Sequence, residues 1–358
     1  MTFTFNEEQQ MLQDAAREFF REQAPVTRLR KLRDEKKNGR DPELWAEMAG
    51  MGWAGIIVPE EFGGAGLGYV GLGLVLEAGG RTLAASPLHS SALTGASALL
   101  LAGSDAQKQE WLPKIASGDV VATLAVDETA HHAPAKNALK SAGGKLSGKK
   151  TYVADGHIAD LFIVAGADGL YLVKGDAPGL TRRELITVDS RGAADLSFDG
   201  VPGEAMPGGL EALDAILDRA RIGMAAEMLG QASEAFEITS EYLKTRRQFG
   251  QVIGGFQALQ HRAAKLFTDL ELTRSCVIAA LDALDRNAND IPTYASLANA
   301  RAAETLHLAS NEMVQLHGGI GMTDEHDAGL YLKRARVAEA LYGGAAFHRD
   351  RYARLLGI

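Results

Sequence analysis

Two stretches carry residue types suited to holding a phosphorylated ligand. Residues 246–250 read RRQFG and residues 315–323 read QLHGGIGMT, and each closes a long helical pattern. A guanidinium is permanently charged and presents a planar fork of donors that can grip a phosphate or diphosphate. Phe249 beside it offers an aromatic face. The structural reading is a basic helix end opposing the negative pole of the helix dipole. In the second stretch Gly318 or Gly319 could simply stop the helix as a left-handed cap. Chemically, two glycines also let a ligand lie against the backbone, with Gln315 and amide groups bonding its phosphates or ribityl hydroxyls.

Other motifs carry less. GGAGLGYVG (63–71) contains G-x-G-x-x-G at Gly66, Gly68 and Gly71. A dinucleotide site needs a strand feeding the turn and an acid about twenty residues on. Here PEEF precedes the glycines and Ser and Leu stand near 91, so a glycine-rich loop before a helix is expected. His131–His132 and the DEHD run (324–327) lack paired metal-ligand spacing and read as solvated loops, with no metal implied. No G-x-S-x-G nucleophile signature is present.

The elements positioning these motifs follow from period. A helical pattern runs from Asn6, an N-cap candidate, to about Gly118, with Met11, Leu12, Ala15 and Phe19 on one stripe. Further helices are expected at 41–50, 70–80, 91–102 and 105–117. From Asp119 to Pro207 short apolar runs (VVATLAV, LFIVAG, LYLVKG, ELITV) alternate with turn material such as SAGGKLSG. These read as strands of a small antiparallel β domain. From Gly208 the helical period returns: Leu210, Leu213, Leu217, Met224 and Met228, then Leu259 to Leu284 at nearly heptad spacing, then 295–316. About four helices in a bundle are expected, packing on each other or on a second subunit. The domains are therefore 1–118 helical, 119–207 β and 208–358 helical.

Composition narrows the function. A net charge of −9 argues against a nucleic-acid binder, whose footprint is basic. The single cysteine, Cys276, allows no disulfide within the chain and fits a reducing compartment. The absence of an export signal and of a spanning apolar run adds to a cytoplasmic, membrane-free expectation.

Taken in order, WAEMAGMGWAGIIVPEEFGGAGLG, SGKKTYVADGHIAD, EYLKTRRQFGQVIGGFQALQ and QLHGGIGMT resemble the acyl-CoA dehydrogenases over nearly the whole chain. The resemblance implies a mainly α fold in three parts: an N-terminal helical domain, a middle antiparallel β domain and a C-terminal four-helix bundle. It implies FAD, a tetramer built from dimers, electron-transfer flavoprotein as acceptor, and α,β-desaturation of an acyl-CoA thioester in lipid β-oxidation. It assigns Arg246, Phe249, Gln257, Gln315, Gly318 and Gly319 to the half-site that reaches FAD held mainly by a neighbouring subunit.

The other half-site departs from the family pattern. AVDETAHHAP (125–134) lacks the Pro-Gly turn and the serine, and Tyr152-Val153-Ala154 replaces Trp-Ile-Thr/Ser. The family's usual base, a Glu in a Y-E-G-T-like segment, falls on Gly343 of Tyr342-Gly343-Gly344-Ala345, and the FAD-holding Thr falls on Ala345. The second known base position, directly before an Arg, falls on Ala220 of Ala220-Arg221. Three readings compete. The chain lends FAD contacts to a base-bearing partner in a hetero-oligomer; or it is a self-sufficient homo-oligomeric dehydrogenase with a displaced carboxylate such as Asp218 or Asp127; or it is a flavin-free scaffold of the same fold. The acyl group, whether steroid, dicarboxylic, aromatic or fatty, is open.

Overall fold

The computed structural model describes residues 5–358. Among them, six α-helices come first: α1 (Glu7–Gln23), α2 (Val26–Asp34), α3 (Pro42–Gly50), α4 (Gly68–Arg81), α5 (Ala96–Ala102) and α6 (Asp105–Ala116). Capping chemistry fixes their starts. Asn6 Oδ1 accepts from the Gln9 amide at 2.8 Å while Gln9 Oε1 accepts from the Asn6 amide at 3.1 Å, satisfying two orphan donors of α1. Ser104 and Gln107 repeat the device on α6. Asp41 caps α3, with Pro42 at its first turn. The helix expected at 91–102 begins earlier, as a buried π-helical segment over Leu88–Gly95 that passes into α5. No strand feeds the glycine-rich turn, since α4 begins at Gly68 after two short 3₁₀ turns.

Eight strands follow: β1 (Ala122–Ala125), β2 (Lys140–Ala142), β3 (Lys145–Ala154), β4 (Leu161–Ala165), β5 (Leu170–Lys174), β6 (Leu180–Leu185), β7 (Ala193–Pro202) and β8 (Glu204–Met206). They form two sheets, in the orders β1-β4-β5-β8 and β2-β3-β7-β6. The expectation of a purely antiparallel domain is corrected at one edge, because β1 pairs with β4 in parallel. The chain between them visits the other sheet, as a parallel return requires a long crossover. SAGGKLSG is not only turn material: Lys140–Ala142 and Lys145 onward pair across Gly143-Gly144. ELITV also shifts, because the strand ends at Leu185 and leaves Ile186 and Val188 exposed.

The helical order then resumes with α7 (Leu213–Thr245), the hairpin strands β9 (Arg247–Gln248) and β10 (Gln251–Val252), α8 (Gln257–Asp285), α9 (Ile291–His317), α10 (Ala328–Ala338) and α11 (Ala345–Leu355). None of the described helices is long and apolar enough to cross a membrane.

Contacts divide the chain into two compact units. One holds Leu29–Leu72 and Ala85–Ala220, and so contains both sheets. One of its charges, Lys150 on β3, is fully buried. The Nζ donates to Val126 O (2.8 Å), Glu128 Oε1 (2.7 Å) and Asn137 Oδ1 (3.0 Å), which uses all three protons. Glu128 in turn accepts from the amides of Ala138 and Leu139. This pair folds the 126–139 loop around the ammonium. Burial opposes the charged forms of both partners. The Lys150 hydrogen bond and the two amides nevertheless hold Glu128 below the usual carboxylate range.

The other unit holds Met1–Arg28, Gly73–Ala84 and Arg221–Ile358. Here α4 and α7 meet backbone to backbone. A Cβ on Gly80 would lie 2.3 Å from Glu227 O, and one on Gly230 would lie 1.9 Å from Glu77 O. Ion pairs border that crossing: Glu77–Arg274 at 3.1 Å, Arg81–Glu234 at 2.6 Å and the buried Glu227–Arg334 at 2.8 Å.

Replacing Lys150 with Met should destabilise the chain by about 3 kcal/mol, the low end for an orphaned buried partner, because Glu128 keeps its amide donors. Urea unfolding of the wild type and K150M measures this. A depressed carboxylate stabilises the fold above the ordinary carboxylate pKa and ceases to as pH falls through the depressed value. The gap between the two proteins should therefore shrink at strongly acidic pH.

Candidate functional site

The motif residues assemble at one end of α7, α8 and α9, within a single compact unit. Direction follows from paired contacts. Arg221 and Asn299 meet through Asn299 Nδ2 and Arg221 O (3.1 Å), and further along both helices Tyr242 stacks on His317 (centroids 4.4 Å). Both numbers rise together, so α7 and α9 run parallel. Thr273 meets Thr305 (2.7 Å) and Arg262 meets Glu312 (2.7 and 2.9 Å), so α8 runs against α9. The C-termini of α7 and α9 and the N-terminus of α8 therefore share one end.

That end gathers all six residues assigned by resemblance: Arg246, Phe249, Gln257, Gln315, Gly318 and Gly319. The Arg246 amide bonds to Tyr242 O at 2.9 Å, so it continues the last turn of α7. The RRQFG stretch is more than a helix end: β9 and β10 form a two-residue hairpin whose tip is Phe249-Gly250. Both tip residues have positive φ, +51° and +79°, the pattern of a type I′ turn. Asn or Gly normally takes the first of these places. A phenylalanine there is strained and, at 90% exposure, finds little burial within the chain beyond an edge-on contact with Phe256. The guanidinium of Arg246 and the amides of Gln257 and Gln315 are exposed and make no hydrogen bond within the described residues.

The two glycines differ. Gly318 has φ +63° and ψ −137°, a backbone region open essentially to glycine alone. Gly319 has no positive φ, and a Cβ there would meet nothing within 4 Å. The fold gives no reason for the absent side chain at 319.

Sequence reasoning gave no role to three neighbours that hold this end together. His317 is buried, donates Nδ1–H to Met313 O (2.7 Å), and stacks on both Tyr242 and His326. Burial pushes its pKa below the ordinary imidazole value. The DEHD run is not simply solvated: His326 lies half-buried on His317, and its Nδ1 accepts from the Ala328 amide at 3.0 Å. The only signal in sequence was His317's place inside QLHGG. The other histidine pair is also corrected. His131 is exposed, but the nearly buried His132 bonds Asp127 Oδ2 at 2.9 Å. No group of three His, Cys, Asp or Glu side chains able to hold a metal occurs among the described residues.

The positions where a base was sought are closed. Gly343 has φ +105°, and a Cβ there would sit 2.4 Å from Phe347 Cδ1. Tyr342 before it is also left-handed, at φ +58°. The fully buried Arg221 directs Nε to Tyr342 O (3.4 Å), and its guanidinium lies 5.6 Å from the Phe347 ring. In the other compact unit Ala220 is buried, and its carbonyl meets His89 Nε2 at 2.9 Å. Asp218 is buried as well, at 1% exposure. It stands two residues from Ala220, so the two side chains face opposite sides of α7. The Asp127 carboxylate is committed to His132 and the Ala133 amide. Tyr152 sits at a β-bulge with φ +49° and is partly exposed.

Residues 6–119 match the family model for the acyl-CoA dehydrogenase N-terminal domain, and residues 208–357 match that for the C-terminal domain. The acyl-CoA dehydrogenase IpdE2 of Mycobacterium tuberculosis is 32% identical over 341 residues, spanning 94% of this chain and 93% of the relative. A variant of the Tcur3481–Tcur3483 steroid ACAD is 34% identical with a TM-score of 0.91, covering 98% of each chain. The ChsE4–ChsE5 complex from Mycobacterium tuberculosis is 27% identical with a TM-score of 0.90, covering 100% of this chain and 99% of that one.

The two glycines should separate in mutagenesis. Gly318→Ala should cost about 1–3 kcal/mol of stability from backbone strain. Gly319→Ala should leave the melting temperature unchanged. Thermal unfolding of both variants is the check, and equal losses would contradict the assignment.

Proposed function

The chain belongs to the acyl-CoA dehydrogenase family, and within it we propose that it is the lending subunit of a heteromeric FAD-linked enzyme that desaturates an acyl-CoA thioester. The observation carrying this reading is the contrast between an unspent ligand-facing surface at 246–257 and 315–319 and a closed, carboxylate-free position 343. Residues 1–118, 119–207 and 208–358 serve as the family's three domains, and electron-transfer flavoprotein serves as acceptor. The two-chain names of the ChsE4–ChsE5 and Tcur3481–Tcur3483 relatives are in keeping with a second, base-bearing chain.

The residues of the lending end fit FAD. Arg246 is a free guanidinium for a diphosphate, Phe249 an exposed ring face, and Gln257 and Gln315 free amides. The open space at Gly319 lets a ligand approach the backbone. Bound FAD supplies the hydride acceptor for the β-carbon. A thioester acidifies the α-hydrogen only modestly, so a positioned carboxylate must take that proton. In this chain Gly343 cannot, and Phe347 occupies the space its side chain would enter. The task of this chain is to bind and orient the cofactor rigidly while the partner supplies the base. Asp218 and Asp127 gain no support as displaced bases, one facing away from Ala220 and the other already paired.

Expressed alone, the chain should bind FAD poorly, and with its partner it should bind about one FAD per heterodimer. A yellow homo-oligomer keeping one FAD per chain through dialysis would refute the lending role. Charge-assisted bonds to a diphosphate contribute about 1.5–3 kcal/mol, so Arg246→Ala should strip FAD from the complex without changing helical content. Absorbance at flavin wavelengths and circular dichroism read the two outcomes.

Gly343→Glu should create no dehydrogenase activity with a panel of acyl-CoAs, added FAD and an artificial electron acceptor. It should also lower stability, because both φ and Phe347 oppose a side chain there. Turnover by the unmodified chain alone would instead establish a self-sufficient enzyme.

A further inference from the structure

The ring cluster beneath the glycine turn has no part in the ligand contacts above. Tyr242 and His317 rings lie 4.4 Å apart at 34°, and His317 and His326 rings 4.2 Å apart at 45°. The hydrogen bonds fix both imidazoles. Met313 O can only accept, so His317 carries its proton on Nδ1. The Ala328 amide can only donate, so His326 Nδ1 is bare. The cluster therefore joins the C-termini of α7 and α9 to the start of α10.

Each ligand-facing segment is one step from this cluster. Arg246 is hydrogen-bonded to Tyr242 through the backbone at 2.9 Å, and the hairpin carrying Phe249 follows it directly. Gly318 follows His317 in the chain, and the Tyr242 hydroxyl reaches His317 O at 3.4 Å. Loss of the His317 ring would remove its bond to Met313 O just before the glycine turn and its contact with Tyr242 in the last turns of α7. The Arg262–Glu312 pair ties α8 to α9.

We propose that Tyr242, His317 and His326 are positioning residues that hold the Arg246 hairpin and the Gly318–Gly319 turn at one fixed separation, so that a single dinucleotide engages both. This rests on the lending-subunit reading for the ligand's identity, but the coupling of the two segments is a property of the chain itself. It gives the DEHD turn a function: His326 supports His317 from outside the bundle.

The test uses the full chain. Hydrogen–deuterium exchange is measured on wild type, His317→Gln, His317→Phe and His326→Gln. His317→Gln should raise exchange in both 246–257 and 318–322 while the Arg221–Asn299 level of α7 and α9 stays protected. His317→Phe keeps a ring in the stack and should restore most of the hairpin's protection. His326→Gln, in the half-buried turn, should loosen the same two segments less, and it decides the matter if His317→Gln unfolds the chain. Loosening of 318–322 alone, or of neither segment, overturns the proposal. FAD titrated into the complex of each of these proteins with the base-bearing partner gives an independent reading. His317→Gln should bind about 10-fold more weakly than wild type, the scale of one aromatic contact and one hydrogen bond. If Arg246→Ala leaves FAD affinity unchanged, the lending reading fails while the exchange coupling is still decided. If Arg246→Ala weakens FAD and His317→Gln does not, the positioning role fails.

Discussion

The parallel run of α7 and α9, with α8 lying between them in sequence and opposite in direction, is the constraint on which the candidate site depends. Two levels of contact fix it, Arg221 with Asn299 and Tyr242 with His317. A helix rises about 1.5 Å per residue, so a change of register by one turn would separate the Arg246 hairpin from the glycine turn by about 5 Å. Interior contacts hold the register. The Thr273–Thr305 hydroxyl pair is buried and short at 2.7 Å; the Arg301–Asp269 pair at about the same level and the Arg262–Glu312 pair nearer the site repeat the α8–α9 alignment. Exposed pairs of this kind contribute little singly. Their agreement on one register is the informative point.

On that frame, backbone conformation separates what is open from what is closed. Phe249, Gly318, Tyr342 and Gly343 all have positive φ. At Phe249 and Gly318 the unusual backbone turns groups outward, and the exposed Phe249 ring keeps only an edge-on contact with Phe256 among the described residues. At Tyr342 and Gly343 it turns the chain inward, so that Phe347 covers Gly343 and a carbonyl faces Arg221. Strain of about 1–3 kcal/mol per site persists only where surrounding structure over-determines it. The hairpin tip has little such surrounding within the chain, since its ring is exposed and its one aromatic neighbour meets it edge-on at 6.2 Å. An external surface that covers Phe249 would complete it.

The helical part of this plan was legible from residue spacing. Asn6, the 105–117 helix and the long runs after Gly208 each combine a cap or a 3.6 period with burial on one face, and those signals are local. The β zone was less legible because pairing is not local. Nothing in VVATLAV says that its partner is parallel, or that the partner lies beyond two strands of another sheet. SAGGKLSG looked like a turn because Gly143-Gly144 dominates it, though the residues on either side pair. ELITV looked like a strand because its residues favour strands, but its apolar side chains find no sheet face after Leu185. For the site, the ligand-facing residues were readable because they are side chains or glycines with chemistry of their own. His317, His326 and Tyr242 were not, because ring contacts between two helices and a turn have no sequence period. Position 343 was read as a missing carboxylate, whereas its φ and the Phe347 ring make it a closed position.

That difference changes how the loss of a base is understood. If Gly343 were only a truncated glutamate, the surrounding pocket would remain shaped for a side chain and a charge. Instead Arg221, buried beside it, faces the Tyr342 carbonyl and the Phe347 ring. A buried guanidinium is costly unless its charge is met, and the Tyr342 carbonyl and the Phe347 ring are among the groups that face it. The neighbourhood is thus internally consistent as a packed interior. Restoring catalysis would require changing the backbone at 342–343, moving Phe347 and rebalancing Arg221 together. Because these groups contact one another, their substitutions would not be additive. The chain is therefore committed to a form in which a proton-abstracting group, wherever the reaction needs one, has to come from outside this segment.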